Sequence, residues 1–87
     1  MTEKQGLYYK ICYEKRNIAT AAESLFVSRS VVSRMVSELE KEFGATFFIR
    51  SKKGVTPTKA GDIMYQGICQ AEDAQKELAK KLKALKD

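Results

Sequence analysis

Apolar residues near the start of the chain recur at helical spacing and predict a first helix over residues 3–16. The intervals between them are one, three and four residues, as on one face of a helix. The predicted stripe is Leu7, Tyr8, Ile11 and Cys12.

A second, shorter helix is predicted over residues 19–26. Asn17 favours a break and a new cap, and Thr20 with Glu23 fits a capping box. Ala21–Ala22 is small enough to let another helix cross closely.

A third helix is predicted over residues 29–43, with Ser28 as its N-cap and Gly44 as its stop. Only a tight turn separates it from the second helix, which is the arrangement of a helix-turn-helix. The predicted buried stripe is Val32, Val36 and Leu39, with Phe43 at its end.

A short basic hairpin, or wing, is predicted next. Thr46–Arg50 is a β-prone run, SKKG is a turn with Gly54 at its tip, and Val55–Pro57 can pair back. Because proline cannot donate a ladder bond, Pro57 belongs at a strand end or edge. One of the two phenylalanines in the first strand, Phe47 and Phe48, should face the core.

Thr58 then caps a long helix that is predicted to run to about Ala84. Its apolar positions repeat at alternating intervals of four and three, which is a heptad seam with one polar member. The seam predicts a partner helix; a lone amphipathic tail is the alternative. The seam residues are Met64, Ile68, Ala71, Gln75, Leu78, Leu82 and Leu85.

Charge placement favours a local anion site. The net charge is +5, and residues 45–61 carry four basic residues and no acid, whereas the flanking segments are nearly balanced. The four are Arg50, Lys52, Lys53 and Lys59.

Catalysis and metal binding find little support in this composition. The chain has no histidine, and Cys12 and Cys69 have no activating partner and form no CxxC pair. We therefore expect free thiols, no enzyme activity, no cofactor and no metal site. A run of 18 apolar residues and a secretion-type N-terminus are both missing, so a cytoplasmic location is expected.

From Ala21 to Gly61 the sequence AAESLFVSRSVVSRMVSELEKEFGATFFIRSKKGVTPTKAG resembles the N-terminal DNA-binding domain of LysR-type transcriptional regulators. It follows the pattern AAxxLxVSxxxxSxxIxxLExxxGxxLFxR…LTxAG over some 40 residues. The resemblance implies a mainly α-helical winged helix-turn-helix: three helices and a hairpin over residues 1–58, then a linker helix over 59–87 that dimerises. It also implies an effector-binding domain beyond the linker helix in full-length members, and no small-molecule site is expected within these 87 residues.

Three positions depart from the family pattern. Arg29 and Ser30 stand where glutamine and proline are usual, so base preference cannot be copied from relatives. Pro57 replaces the usual leucine before Thr58.

The predicted DNA-binding residues follow from the helix-turn-helix, whose second helix enters the major groove. Base-contact candidates are Arg29, Ser30, Ser33 and Arg34, since arginine can pair with guanine O6 and N7. Backbone candidates are Thr20, Ser28, Ser37, Arg50, Lys52 and Lys53. A solvated surface is the alternative for the helix face and the wing lysines, and an ion pair from wing to core is the alternative for Arg50.

The predicted function is sequence-specific binding of double-stranded DNA by a homodimer that regulates transcription. The alternative is an interaction module that heterodimerises through its long helix with a full-length regulator. Membrane-surface binding by the lysines of the long helix is a third interpretation, which the sequence does not favour because nearby acids offset their charge. These lysines are Lys76, Lys80, Lys81, Lys83 and Lys86.

Overall fold

A computed structural model describes residues 1–86, so Asp87 at the end of the predicted linker segment lies outside the described residues. Over residues 1–86 the chain forms four helices and one two-stranded antiparallel hairpin, which confirms the predicted winged helix-turn-helix. The elements are α1 (Glu3–Lys15), α2 (Ile18–Leu25), α3 (Arg29–Phe43), β1 (Phe48–Ser51), β2 (Gly54–Pro57) and α4 (Lys59–Ala84).

Each helix begins after a residue whose side chain accepts a backbone hydrogen bond. The predicted caps of α3 and α4, Ser28 and Thr58, are confirmed, as is the stop at Gly44, where φ is +63°. The capping box predicted for α2 is wrong. Asn17 caps that helix by accepting from the Thr20 amide at 2.9 Å, so Thr20 lies inside the first turn.

The buried face of α1 is rotated from the predicted stripe. Tyr8, Tyr9 and Cys12 are buried, whereas Leu7 is 49% exposed, which contradicts its predicted place in the core. Tyr9 is absent from that stripe because it lies beside the helix face that Leu7 and Ile11 define. The structure buries the whole side chain and satisfies the hydroxyl, which donates to the Gly61 carbonyl at 2.7 Å.

The core lies where α1, α2 and α3 meet the loop before the wing. The α3 stripe predicted from the sequence, Val32, Val36 and Leu39, is fully buried. Phe43, predicted at the end of that stripe, is instead half exposed because it lies at the last turn of α3.

Both Phe47 and Phe48 are buried, whereas the sequence predicts that only one of them faces the core. Their rings take different sides of Tyr9, edge-on at 5.5 Å and stacked at 5.1 Å between centroids. Phe47 precedes the strand, so the two rings are not bound by the alternation of side chains along β1, which begins at Phe48.

The hairpin starts two residues later than predicted. The amides of Phe47 and Phe48 bind the Glu40 carboxylate, at 2.7 and 3.4 Å, and not a partner strand. Lys52–Lys53 forms the tip, because Gly54 already pairs with Ser51 as the first residue of β2.

The wing is anchored to the end of α1 through the first two residues of β2. The Val55 amide donates to the Arg16 carbonyl at 2.9 Å, and Gly54 has φ +127° where it passes that carbonyl. Pro57 is the last residue of β2, as predicted.

The first turns of α4 belong to the core and its later turns are exposed. Gly61 and Ile68 are buried, while the residues from Asp73 onward are exposed up to Lys86. A stacked pair of rings, Tyr13 on Tyr65 with centroids 3.9 Å apart, attaches α4 to α1. The long helix extends the molecule to 53 × 27 × 19 Å.

Candidate nucleic-acid interface

One face of α3 presents short hydroxyls and arginines to solvent. The face lies opposite the buried stripe of the helix, and Glu38 is the first acid along α3. Four of its members are exposed and Ser33 is half-buried. We call this surface the α3 face; its residues are Arg29, Ser30, Ser33, Arg34 and Ser37.

Two serines meet at the N-terminus of α3. The Ser28 hydroxyl accepts from the Val31 amide at 3.4 Å, and it lies 3.0 Å from the Ser30 hydroxyl. Helix N-termini favour anions because their free amides and the helix dipole are positive. Arg29, between the two serines, has no hydrogen bond or ion pair with any of residues 1–86 and is free to reach a ligand.

Arg50 joins the wing to the middle of the α3 face. From β1, its Nη1 donates to the Ser33 hydroxyl at 2.6 Å and its Nη2 lies 3.5 Å from the Ser37 hydroxyl. Among the residues that the structure covers, it forms no ion pair with a carboxylate. The ion pair from wing to core that was the alternative for Arg50 is therefore not formed within residues 1–86, and Arg50 instead contacts two hydroxyls of α3.

The wing tip supplies two further cations. Lys52 and Lys53 are exposed, and neither forms an ion pair within residues 1–86. Thr20 is exposed near the start of α2, where its amide is used by the cap and its hydroxyl remains available. These three side chains lie on elements adjoining α3.

Glu38 and Gln5 form a contact with the α3 face that sequence reasoning missed. Glu38 lies 3.8 Å from the Arg34 guanidinium and accepts from the Gln5 side chain at 3.3 Å. The four-residue spacing from Arg34 to Glu38 is visible in the sequence. The contact from Gln5 crosses 33 positions and has no local signal.

Phe26 is another residue for which the sequence predicts no role. It ends α2 in the left-handed region, with φ +57°, and is 95% exposed at the turn before Ser28. Left-handed backbone is unfavourable for a residue with a bulky side chain. Nothing in the structure explains why phenylalanine occupies this position.

Both cysteines are free thiols, in agreement with the sequence prediction. Burial raises the pKa of the Cys12 thiol to about 11, which suits a core residue and not a nucleophile. Residues 1–86 hold no group of three or more potential His, Cys, Asp or Glu metal ligands. Over the same residues, no helix has the length and apolar character needed to cross a membrane.

The heptad seam of α4 divides into an internal and an external part. Ile68 is buried and Met64 packs on the same core, so Ile68 has little surface left for a partner. The later seam residues are exposed on one side: Leu78 (57%), Leu82 (55%) and Leu85 (82%). Ala71 and Gln75, between the two parts, are also exposed.

Residues 7–62 match the family model described as "Bacterial regulatory helix-turn-helix protein, lysR family". The regulator CysL of Bacillus subtilis is 45% identical over 53 residues, which are 61% of this chain and 18% of that protein. The nitrogen assimilation regulatory protein of Klebsiella aerogenes is 43% identical over 49 residues, covering 56% of this chain and 16% of that protein. The matched part of the chain thus spans less than a fifth of the length of these curated relatives.

The crystal structure titled "CbnR_DBD-DNA complex" has the same fold as this chain. The TM-score is 0.90 at 25% identity, and the alignment covers 100% of both chains. The similarity therefore includes α4 as well as the helix-turn-helix and the wing.

Proposed function

This chain belongs to the lysR family of bacterial regulatory helix-turn-helix proteins, and on that premise we propose that it binds double-stranded DNA as a homodimer, sequence-specifically, to regulate transcription. The family is one of DNA-binding regulators and not of enzymes. The α3 face is the observation that carries the proposal for this chain. A helix that opens with arginines and serines and delays its acids to the last turns is suited to a groove lined by phosphates.

Base reading falls to the first half of the α3 face. Arg29 and Arg34 are exposed and long enough to reach guanine O6 and N7, each by a bidentate pair. Ser30 and Ser33 are short, so they let the helix lie deep in the groove and can bond a base edge or a phosphate.

Phosphate contacts surround that surface. Ser28 at the helix N-terminus and Ser37 one turn beyond Ser33 flank the base-reading residues. Thr20 on α2 extends the set on one side. On the other side, the wing adds Arg50 and the tip Lys52–Lys53, which reach the backbone or the adjacent minor groove.

Dimerisation is assigned to the exposed part of α4. The seam residues from Ala71 to Leu85 are exposed in the part of the chain that the structure describes, and two copies of such a seam can bury each other. Gln75, the polar member, sets the register. The winged domain (1–58) and the linker helix (59–87) remain the proposed division, with DNA binding in the first and pairing in the second.

Selection of bound duplexes from a random pool tests the function directly. We expect a conserved sequence with two related half-sites, because each protomer presents one α3 face. Recovery of random sequences would contradict sequence-specific binding. A chain that binds no duplex at low salt and dimerises only with a full-length regulator would support the interaction module instead. Binding to the nucleoid in the bacterial cytoplasm is the location that this proposal implies.

A further inference from the structure

Glu38 contacts two helices at once. One of its carboxylate oxygens lies 3.8 Å from Nε of Arg34, one turn earlier on α3. The other accepts a hydrogen bond from the side-chain amide of Gln5, on α1, at 3.3 Å. The carboxylate is therefore held on both sides, and it lies at the edge of the α3 face.

The Gln5 side chain has only one orientation that satisfies its neighbours. Its carbonyl oxygen accepts from the Thr2 amide at 2.9 Å, in the capping box that begins α1. Since an NH₂ group cannot accept that bond, the NH₂ group must point the other way, toward Glu38. The cap of α1 thus fixes a donor for the Glu38 carboxylate.

The contact with Glu38 uses one particular edge of the Arg34 guanidinium. A guanidinium can donate two hydrogen bonds to one base in two ways. It donates end-on through both Nη atoms, or side-on through Nε and one Nη. The 3.8 Å contact is an ion pair, longer than a hydrogen bond; it turns the Nε edge toward Glu38 and leaves the two Nη atoms available. Those two atoms match the O6 and N7 acceptors of guanine in the major groove.

We propose that Glu38 is a positioning residue for base reading: it holds Arg34 through Nε for end-on pairing with guanine, and Gln5 braces it from α1. The proposal rests on the proposed function, in which Arg34 reads a base. The ion pair is exposed and contributes little to folding. Its effect is on discrimination, because a guanidinium turned in one direction is better placed for a bidentate pair with guanine than a freely rotating one.

The test compares binding of two duplexes, the selected site and a scrambled one, and takes the ratio of the two dissociation constants as the specificity ratio. Arg34→Ala should lower this ratio by about 10-fold or more, with selectivity lost at one base position. Glu38→Ala should weaken binding to the selected duplex and lower the specificity ratio by about threefold, with the loss of selectivity at the same base position. In the Arg34→Ala background, Glu38→Ala should change the ratio no further, since the two residues act as one unit.

Two variants separate positioning from charge and from folding. Glu42→Ala removes the same charge one turn further along α3, where the carboxylate pairs with the N-terminal amine at 2.8 Å and not with an arginine of the α3 face, so it should leave the specificity ratio unchanged. Gln5→Glu keeps the side-chain oxygen that accepts from the Thr2 amide in the capping box. It replaces the NH₂ group that donates to Glu38 with an oxygen that cannot donate. It should lower the specificity ratio while the midpoint of chemical unfolding stays the same.

The outcomes distinguish the two proposals. An unchanged specificity ratio in Arg34→Ala would remove Arg34 from base reading and with it the role of Glu38. Suppose instead that Arg34→Ala lowers the specificity ratio. The positioning role alone would then be overturned if Glu38→Ala had the wild-type ratio, or if it lowered the ratio equally with Arg34 present and with Arg34 replaced by alanine. A fall in Glu42→Ala equal to that in Glu38→Ala would assign the effect to charge and contradict positioning.

Discussion

The guanidinium of Arg50 donates to the Ser33 hydroxyl at 2.6 Å, so the wing is hydrogen-bonded to the helix that is proposed to read DNA. The bond reaches across 17 positions of sequence, and a second, longer contact reaches Ser37. The wing and the α3 face are therefore held in one relative position before DNA is bound. A binding surface with its parts already in place loses less conformational entropy on binding.

Arg50→Lys should separate the charge of this residue from its geometry. Lysine keeps the positive charge but cannot donate two planar bonds to Ser33 and Ser37. We expect binding to the selected duplex to weaken by about 1 kcal/mol and binding to random duplex to stay nearly unchanged. Titration of both duplexes at one salt concentration measures the two effects.

Arg50→Ala is the matching variant, because it removes the charge as well. It should weaken binding to both duplexes. If Arg50→Lys bound both duplexes like the wild type, the bonds to α3 would have no role in recognition.

Lys53→Ala should weaken binding to all duplexes about equally. At the wing tip, Lys53 is exposed and its proposed contact is a phosphate, which carries no sequence information. The slope of log affinity against log salt should fall by roughly one. Lys80→Ala, an exposed lysine of α4, serves as the control, and a slope unchanged in Lys53→Ala would remove Lys53 from the phosphate set.

A charge on the exposed seam of α4 should dissociate the proposed dimer. Leu78→Lys and Leu82→Lys place a cation where two copies of the seam would meet, and both leucines are exposed, so the fold of each chain should be retained. We expect sedimentation equilibrium to show a dimer for the wild type and mainly monomer for the double variant. Ala79→Lys adds the same charge beside the seam and should remain a dimer; a dimer in all three proteins would place the interface elsewhere.

Two glycines of α4 should respond in opposite ways to replacement by alanine. A Cβ on Gly61 would collide with the Phe47 carbonyl, and we expect Gly61→Ala to lower the free energy of unfolding by about 2–4 kcal/mol. Gly67 has open space around it, so Gly67→Ala should raise that free energy by about 0.5–1 kcal/mol. Chemical unfolding of the two variants measures both changes, and a neutral Gly61→Ala would contradict the close approach of α4 to the loop before the wing.

Local sequence patterns predicted the elements that depend on local chemistry. The bounds of α3 and α4 follow from Ser28, Gly44 and Thr58, whose capping roles are decided within a few residues. The α3 stripe was equally clear, since valines and leucine at helical spacing have one apolar face.

The features that the sequence did not predict depend on contacts between residues that are far apart along the chain. Tyr9 lies beside the predicted stripe of α1, and the acceptor for its buried hydroxyl is the carbonyl of Gly61, 52 positions away. The sequence predicts a start of β1 two residues before the observed one, because the amides of Phe47 and Phe48 bind the Glu40 carboxylate on α3. In the α3 face, the residue types were predictable, but the bonds of Ser33 to Arg50 and of Glu38 to Gln5 required the fold.

The central claim is that the α3 face of a dimer reads a specific DNA sequence. The most direct measurement is a titration, at one salt concentration, of the selected duplex and of the same duplex with both half-sites scrambled. We expect the selected duplex to bind more tightly by about 1,000-fold or more. Equal affinity for the two duplexes would contradict it.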